Sequence, residues 1–139
     1  MKIKLGVSAL VLAATTFVSA ASAQDAVRVA FVPQIQGIPY YVAMEEGAAR
    51  AAEEFGVDYI QQGPTSTNAS DQLRIFESFV SQGVDVVGVS PVDVETLKPA
   101  IAKARAAGVN VITSDADAVG SERQFYVAQA FDQDLGYTI

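Results

Sequence analysis

A short motif that occurs three times constrains the fold more than any other feature of this chain. Gly-Val-Asp or Gly-Val-Asn ends an alanine-rich or amphipathic stretch at residues 56–58, 83–85 and 108–110, about 25 to 27 residues apart. Each motif leads into a short apolar run. Glycine just beyond a helix adopts the left-handed conformation that ends the helix at little cost, and the apolar run is typical of a buried strand. A helix followed by a strand at this spacing predicts the βαβ units of a parallel sheet.

The apolar pattern also predicts where the elements lie. It predicts strands at residues 27–32, 59–60, 86–89, 111–112 and 125–128. It predicts helices at about 40–55 and 71–82, a third helix capped by Asp93, and a fourth that begins after Asp132. The predicted fold class is therefore α/β, an open parallel sheet flanked by helices on both faces. Open α/β folds bind ligands at the carboxyl edge of the sheet, which makes that edge the predicted site.

The first 23 residues have the pattern of a secretory signal peptide. Lys2 and Lys4 give a positive start, residues 5–20 are apolar, and residues 21–23, Ala-Ser-Ala, have the small side chains of a signal peptidase site. The alternative is an N-terminal membrane anchor, but the apolar run is shorter than the ~20 residues of a spanning helix. We therefore expect an exported, periplasmic protein that is cleaved before Gln24.

The charge of the remaining chain disfavours several classes of partner. These 116 residues hold all 16 acidic residues and seven of the nine basic ones, for a net charge of −9. Such a charge argues against nucleic acid and against anionic membrane surfaces. The chain has no cysteine and no histidine, so we expect no disulfide, no lipid attachment on cysteine, and no zinc or other soft-metal site. We expect no cofactor either.

Polar and aromatic side chains follow the predicted strands at the carboxyl edge. Tyrosine rings can pack against the apolar face of a sugar, and carboxylates accept strong hydrogen bonds from its hydroxyls. Each side chain also has a plain structural interpretation, because tyrosines pack at helix starts and aspartates cap turns. The loops together favour a small, neutral, hydroxyl-rich ligand. The candidate ligand-binding residues are Gln34, Tyr40, Tyr41, Ser90, Asp115 and Asp117.

The motifs of common enzymes are absent from the sequence. The loop after the first strand has one glycine, Gly37, which is too few for a dinucleotide site. There is no Walker loop and no G-x-S-x-G elbow, and a triad that needs histidine cannot form. Asp115 and Asp117 are a pair of acids close together in the sequence, in a stretch that we expect to be extended, and we do not expect them to act in acid–base catalysis. We expect a binding protein and no enzyme.

An ordered set of segments resembles a known family. Residues 31–41, Phe-Val-Pro-Gln-Ile-Gln-Gly-Ile-Pro-Tyr-Tyr, resemble the first-strand loop of periplasmic sugar-binding proteins of ABC importers, of the ribose-binding-like type. The likeness is greatest to the branch of rhamnose-binding and autoinducer-2-binding proteins. It covers essentially all of the mature chain. The segments that continue it, in the same order, are residues 62–65, 82–85, 89–91 and 111–117.

The resemblance implies a mechanism and roles for single residues. In that family two α/β lobes close over the ligand, and an ABC permease recognises the closed form. By position, Tyr40 and Tyr41 match the stacking aromatics and Asp115 matches the ligand-binding aspartate. Autoinducer-2 binders carry lysine where this chain has Gln34, which weakens that assignment. Ribose binders carry asparagine and arginine where this chain has Ile38 and Ala116, which argues against ribose itself. The ligand therefore stays open.

The resemblance also implies a domain organisation. Residues 24–130 would form the first lobe, and residues 131–139 would begin the crossover into a second lobe that is absent. We therefore expect a truncated receptor that is a monomer when complete. One alternative is an autoinducer-2-like signal or chemosensory receptor. Two others are the effector lobe of a transcription regulator, which would have an N-terminal helix-turn-helix and no export signal, and a flavodoxin-like periplasmic enzyme.

The expected domain organisation yields a prediction about affinity. If a complete site binds sugar at about micromolar, or about −8 kcal/mol, a lobe with half of the contacts reaches about −4 kcal/mol, which is about millimolar. Loss of enclosure weakens binding further. We predict that residues 24–139 alone bind no sugar tightly. Isothermal calorimetry checks this, and a micromolar constant for this fragment would contradict it.

Overall fold

A parallel sheet of five strands forms the centre of the computed structural model, which describes residues 26–130, 133, 134 and 136. Neighbouring strands are parallel throughout, in the order β2-β1-β3-β4-β5. The predicted α/β fold class is confirmed. The strands are β1 (Arg28–Val32), β2 (Asp58–Gln61), β3 (Val86–Val89), β4 (Asn110–Ser114) and β5 (Phe125–Val127). The helices that connect them are α1 (Pro39–Phe55), α2 (Ala69–Ser81) and α3 (Val94–Ala106).

The helices begin and end where local chemistry indicates. Asn68 caps α2 by accepting a hydrogen bond from the Asp71 amide, and Asp93 caps α3 by accepting one from the Thr96 amide. Gly56 ends α1 in the left-handed conformation, with φ of 67°. The boundaries predicted for α1, α2 and all five strands agree with these elements to within two residues.

Two segments of the predicted organisation fall largely outside the described residues. The signal peptide predicted for residues 1–23 lies wholly outside them. Asp132, the predicted cap of a last helix, also lies outside them, while residues 133, 134 and 136 are helical. Within the described part of the chain, no helix combines the length and the apolar character needed to cross a membrane.

The hydrophobic core lies between the sheet and the pair α2 and α3. Alternate residues of the central strands point to this face, and α1 covers part of the other. The large helical side chains in the core are Phe76, Phe79, Leu97 and Ile101, and each is at most 1% exposed. The strand residues they pack against are Ala30, Val32, Val87, Val89 and Val111.

One fully buried polar side chain belongs to the same core. Gln72 lies on α2, one turn before Phe76, and is 0% exposed. Its amide nitrogen donates to the carbonyl oxygens of Pro33 at 3.1 Å and Ser90 at 2.7 Å, and its Oε1 accepts from the Val92 amide at 2.9 Å. Pro33 and Ser90 directly follow β1 and β3. Gln72 therefore ties together the loops at the carboxyl ends of two central strands.

We predict that Gln72→Leu destabilises the chain by on the order of 3 kcal/mol, because two buried carbonyl oxygens and the half-buried Val92 amide then lose a partner. Chemical denaturation followed by circular dichroism measures this free energy of unfolding. Gln82→Leu is the matched control, since the Gln82 side chain is exposed and, among the described residues, bonds to Ser78 alone. The control should stay within about 0.5 kcal/mol of the wild type. Equal losses in the two variants would contradict the role assigned to Gln72.

Candidate functional site

Three predicted site residues meet at the carboxyl edge of the sheet. Asp115 directly follows β4, Ser90 directly follows β3, and Tyr41 lies in the first turn of α1. The Tyr41 hydroxyl donates to Asp115 Oδ2 at 2.8 Å, and the Ser90 hydroxyl donates to the same oxygen at 3.0 Å. The two hydroxyl oxygens are also 3.0 Å apart. We call these three residues the Asp115 cluster.

The surroundings of Tyr41 in the Asp115 cluster keep its hydroxyl protonated. Burial raises the pKa of Tyr41 to about 12, and the hydrogen bond to Asp115 acts in the same direction. Tyr41 is therefore a neutral donor at physiological pH. Both hydroxyls bond to Oδ2 of Asp115, so the carboxylate retains acceptor capacity on Oδ1. An ionised oxygen of this kind forms strong hydrogen bonds with ligand hydroxyls.

The two neighbouring tyrosines have different environments. Tyr40 is 38% exposed, whereas Tyr41 is only 2% exposed, and their rings meet edge to face with centroids 5.0 Å apart. The Tyr40 hydroxyl donates to Gln129 Oε1 at 2.5 Å. Burial and the nearby Asp115 raise the pKa of Tyr40. Tyr40 is thus partly exposed to solvent at this edge, whereas Tyr41 is enclosed and contributes its hydroxyl. The stacking roles implied for the two rings stay predictions.

Gln34 lies beside the Asp115 cluster and connects two loops. Its amide nitrogen donates to the Pro91 carbonyl oxygen at 2.8 Å, which joins the loop after β1 to the loop after β3. In the same loop, the Gln36 amide donates to the Pro64 carbonyl oxygen at 2.8 Å, and Gln36 Oε1 accepts from the Gly63 amide. These bonds hold the loops after β1, β2 and β3 in fixed relative positions.

Asp117 has its hydrogen-bond partners outside the Asp115 cluster, and residues 115 and 116 form a bend instead of the expected extended stretch. Asp117 Oδ1 accepts from the Thr113 hydroxyl at 2.8 Å, and its two carboxylate oxygens pair with the Arg123 guanidinium at 2.5 and 2.6 Å. The hydrogen bonds from Arg123 lower the pKa of Asp117. This ion pair closes the connection between β4 and β5. The ligand-binding role of Asp117 stays a prediction, although both of its oxygens already have partners within the chain.

Sequence reasoning missed three polar residues at or behind this edge. Gln72 lies behind the loops, Tyr126 donates from its hydroxyl to the Asp115 carbonyl oxygen at 2.9 Å, and Gln129 accepts from Tyr40. The available signal for Gln72 was a glutamine in line with the apolar stripe of α2, four residues before Phe76. Nothing in the sequence around Tyr126 or Gln129 distinguishes them from ordinary strand and loop residues.

The apolar grooves between α1 and the sheet do not include the Asp115 cluster. A groove of about 230 Å³ lies between α1 and the sheet, and Phe31, Met44, Ile112 and Val127 are among its lining residues. None of the three residues of the Asp115 cluster lines it. Across residues 26–130 and the three other described positions, no group of three or more acidic, histidine or cysteine side chains is arranged to hold a metal ion. The Asp115 cluster is therefore the best candidate site for a polar organic ligand.

A parallel open sheet with a polar cluster at its carboxyl edge defines the class of α/β ligand-binding domains. Comparison with known proteins identifies the family. Residues 29–134 match the family model of the periplasmic binding protein domain. This match covers well over half of the chain, and the chain belongs to that family. The resemblance predicted from residues 31–41 is confirmed.

Individual relatives agree with this assignment. The D-ribose/D-allose-binding protein of Pseudomonas aeruginosa is 31% identical to this chain over 91 residues, which are 63% of this chain and 28% of that protein. LsrB from Clostridium saccharobutylicum, solved in complex with AI-2, has a TM-score of 0.77 and 30% identity, over 81% of this chain and 34% of that one. An ABC transporter solute-binding protein from Clostridium phytofermentas with bound L-rhamnose has a TM-score of 0.74 and 29% identity, over 82% and 37%. The chain thus spans between 28% and 37% of the length of these proteins.

We predict that Asp117→Asn destabilises the chain in a pH-dependent way. Arg123 lowers the pKa of Asp117 in the folded state below its unfolded value of about 3.9. The ionised carboxylate therefore stabilises the fold above that pH, and this contribution is lost as the pH falls through the lower folded pKa. The variant should melt several degrees below the wild type at pH 7, and the difference should shrink steadily below about pH 4.

Thermal unfolding followed by circular dichroism at several pH values measures this difference. Glu122→Gln is the matched control, because it removes the same charge from an exposed residue next to Arg123. A melting difference for Asp117→Asn that stays constant from pH 7 to pH 2 would contradict the assigned ion pair.

Proposed function

We propose that this chain is a lobe of a periplasmic substrate-binding protein that captures a small hydroxylated ligand of the sugar type for an ABC importer. The Asp115 cluster is the observation that carries this proposal. A carboxylate with spare acceptor capacity lies between two hydroxyl donors, beside an exposed tyrosine ring. This combination fits a neutral ligand that has vicinal hydroxyls on one side and an apolar ring face on the other.

The charge of the site supports a ligand without negative charge. Asp115 is the charged member of the cluster, whereas Tyr41, Ser90 and the neighbouring Gln34 are neutral. The nearby cation, Arg123, is already paired with Asp117. A phosphate or carboxylate on the ligand would therefore face Asp115 without compensation. Neutral pentoses, hexoses and deoxyhexoses fit this side of the site.

The relatives support the same ligand class and leave the individual ligand open. Their names or bound molecules are D-ribose and D-allose, L-rhamnose, and AI-2. We infer a ligand from this group of small polyols. Gln34 supplies a neutral amide where autoinducer-2 binders of the family carry lysine, and this favours a sugar over AI-2. An AI-2-like signal is the second candidate because of the likeness to LsrB.

The remaining features of the proposal concern the whole protein. The matched relatives are more than twice as long as this chain, and we propose that a second lobe supplies the other half of the contacts. Family membership and the N-terminal pattern support export to the periplasm, with cleavage before Gln24. We propose a monomer that delivers its ligand to an inner-membrane ABC permease, without enzymatic activity and without binding nucleic acid.

Ligand titration of the chain by two-dimensional NMR tests the proposal, because it detects millimolar binding. D-ribose, D-allose, L-rhamnose and AI-2 are the probes. We predict that at least one sugar causes saturable shifts at the amides of Gln34, Tyr40, Ser90 and Asp115. Asp115→Asn should weaken that binding by about tenfold or more, because a neutral amide replaces a charged acceptor.

Glu122→Gln is again the matched control, since it removes one negative charge from an exposed residue of the β4–β5 connection and should leave the binding unchanged. Saturable shifts with AI-2 alone would favour the second candidate. The proposal fails if no probe shifts these amides, or if Asp115→Asn and Glu122→Gln weaken binding equally.

A further inference from the structure

The main chain of Asp115 has an uncommon conformation. Among the described residues, Asp115 is the one residue other than glycine with a positive φ, at 68°. This left-handed conformation is strained for residues that carry a Cβ, although aspartate tolerates it better than most. Strain of this kind persists where the surroundings hold the residue in place. The groups that contact Asp115 therefore affect its main-chain conformation and the direction of its carboxylate.

Asp115 is held through its side chain and through its main chain. Tyr41 and Ser90 hold the carboxylate from α1 and from the end of β3. On the main chain, the Asp115 carbonyl oxygen accepts a hydrogen bond from the Tyr126 hydroxyl at 2.9 Å. The Asp115 amide donates to the Val127 carbonyl oxygen at the longer distance of 3.3 Å. Both main-chain contacts come from β5.

The position of Tyr126 is set by the sheet. Tyr126 pairs with Thr113 in the parallel ladder between β4 and β5, two residues before Asp115. The ion pair between Asp117 and Arg123 closes the connection between these strands. Tyr126 is nevertheless 40% exposed. Packing alone therefore does not fix the direction of the Tyr126 hydroxyl. The hydrogen bond from this hydroxyl to the Asp115 carbonyl oxygen is thus a specific contact.

We propose that Tyr126 is a positioning residue for the Asp115 cluster. Its hydroxyl holds the Asp115 peptide in the left-handed conformation, and this conformation keeps the carboxylate within reach of Tyr41 and Ser90. Without that bond, Asp115 relaxes toward negative φ and its carboxylate turns away from the cluster. This inference rests on the proposed function only for its effect on ligand affinity, because the effect on the conformation of Asp115 needs no ligand.

Tyr126→Phe tests the proposal by removing one oxygen atom from a side chain that is partly exposed. NMR of the chain reports the conformation of Asp115 through its backbone shifts and its HN–Hα coupling. We expect these to move away from left-handed values in Tyr126→Phe. Amide hydrogen exchange at Asp115 should accelerate by about three- to tenfold. Exchange at Val87 and Val111, in the centre of the sheet, should stay at wild-type rates.

Tyr59→Phe is the matched control. The Tyr59 hydroxyl donates to Gln61 Oε1 at 3.0 Å on β2, at the opposite edge of the sheet. This variant should leave the shifts, coupling and exchange of Asp115 unchanged. The proposal is overturned if Tyr126→Phe leaves Asp115 unchanged. It is also overturned if Tyr59→Phe changes Asp115 as much, or if exchange at Val87 and Val111 rises in parallel, since each result indicates a general loss of stability.

The sugar titration separates this proposal from the proposed function. If the wild-type chain binds a sugar, Tyr126→Phe should weaken that binding by about three- to tenfold. If the wild-type chain binds none of the probes, the proposed function fails, and the shifts and coupling of Asp115 still decide the positioning role. Unchanged sugar affinity, together with an unchanged Asp115, would overturn the positioning role while the proposed function stands.

Discussion

The parallel register of the central strands is the constraint on which the rest of the structure depends. Val32 of β1 pairs with Val89 of β3, Val89 pairs with Thr113 of β4, and Thr113 pairs with Tyr126 of β5. This single row of residues crosses four strands just before their carboxyl ends. The residues that follow each strand are therefore brought together at one edge. A shift of one residue in any strand would turn its side chains to the opposite face and separate the Asp115 cluster.

Buried and half-buried side-chain amides stabilise the loops that leave this row. Gln72 bonds to main-chain groups after β1 and β3, Gln34 joins the same two loops, and Gln61 donates to the Tyr41 carbonyl oxygen at 3.0 Å. Across the described residues, each buried side-chain nitrogen or oxygen has a hydrogen-bond partner. A fully satisfied polar network favours a single arrangement of the loops, because every alternative leaves some buried group without a partner. These hydrogen bonds thus hold the loops around the Asp115 cluster in a preorganised state.

The strands and helices could be predicted because the sequence patterns that indicate them are local. Gly56, Gly83 and Gly108 all have positive φ just beyond a helix, and this is the conformation that the repeated motif predicts. Apolar periodicity then located the strands and helices to within two residues. The ordered loop segments identified the family. Ser90, Tyr41 and Asp115 were predicted to lie at one edge because parallel strands place their following loops together.

The contacts within the site were beyond sequence reasoning because they join residues far apart in the chain. Tyr41 and Asp115 are 74 residues apart, Gln72 and Pro33 are 39 apart, and the partners of Tyr126 depend on strand pairing. The different exposures of the adjacent Tyr40 and Tyr41 have the same origin, since helix orientation against the sheet decides which ring is enclosed. Local patterns in the chain were enough to locate the strands and helices, to identify the family and to indicate the edge of the sheet that carries the Asp115 cluster. The side chains that contact Asp115 became known from the tertiary structure, because hydrogen bonds depend on distances that packing sets and local pattern does not encode.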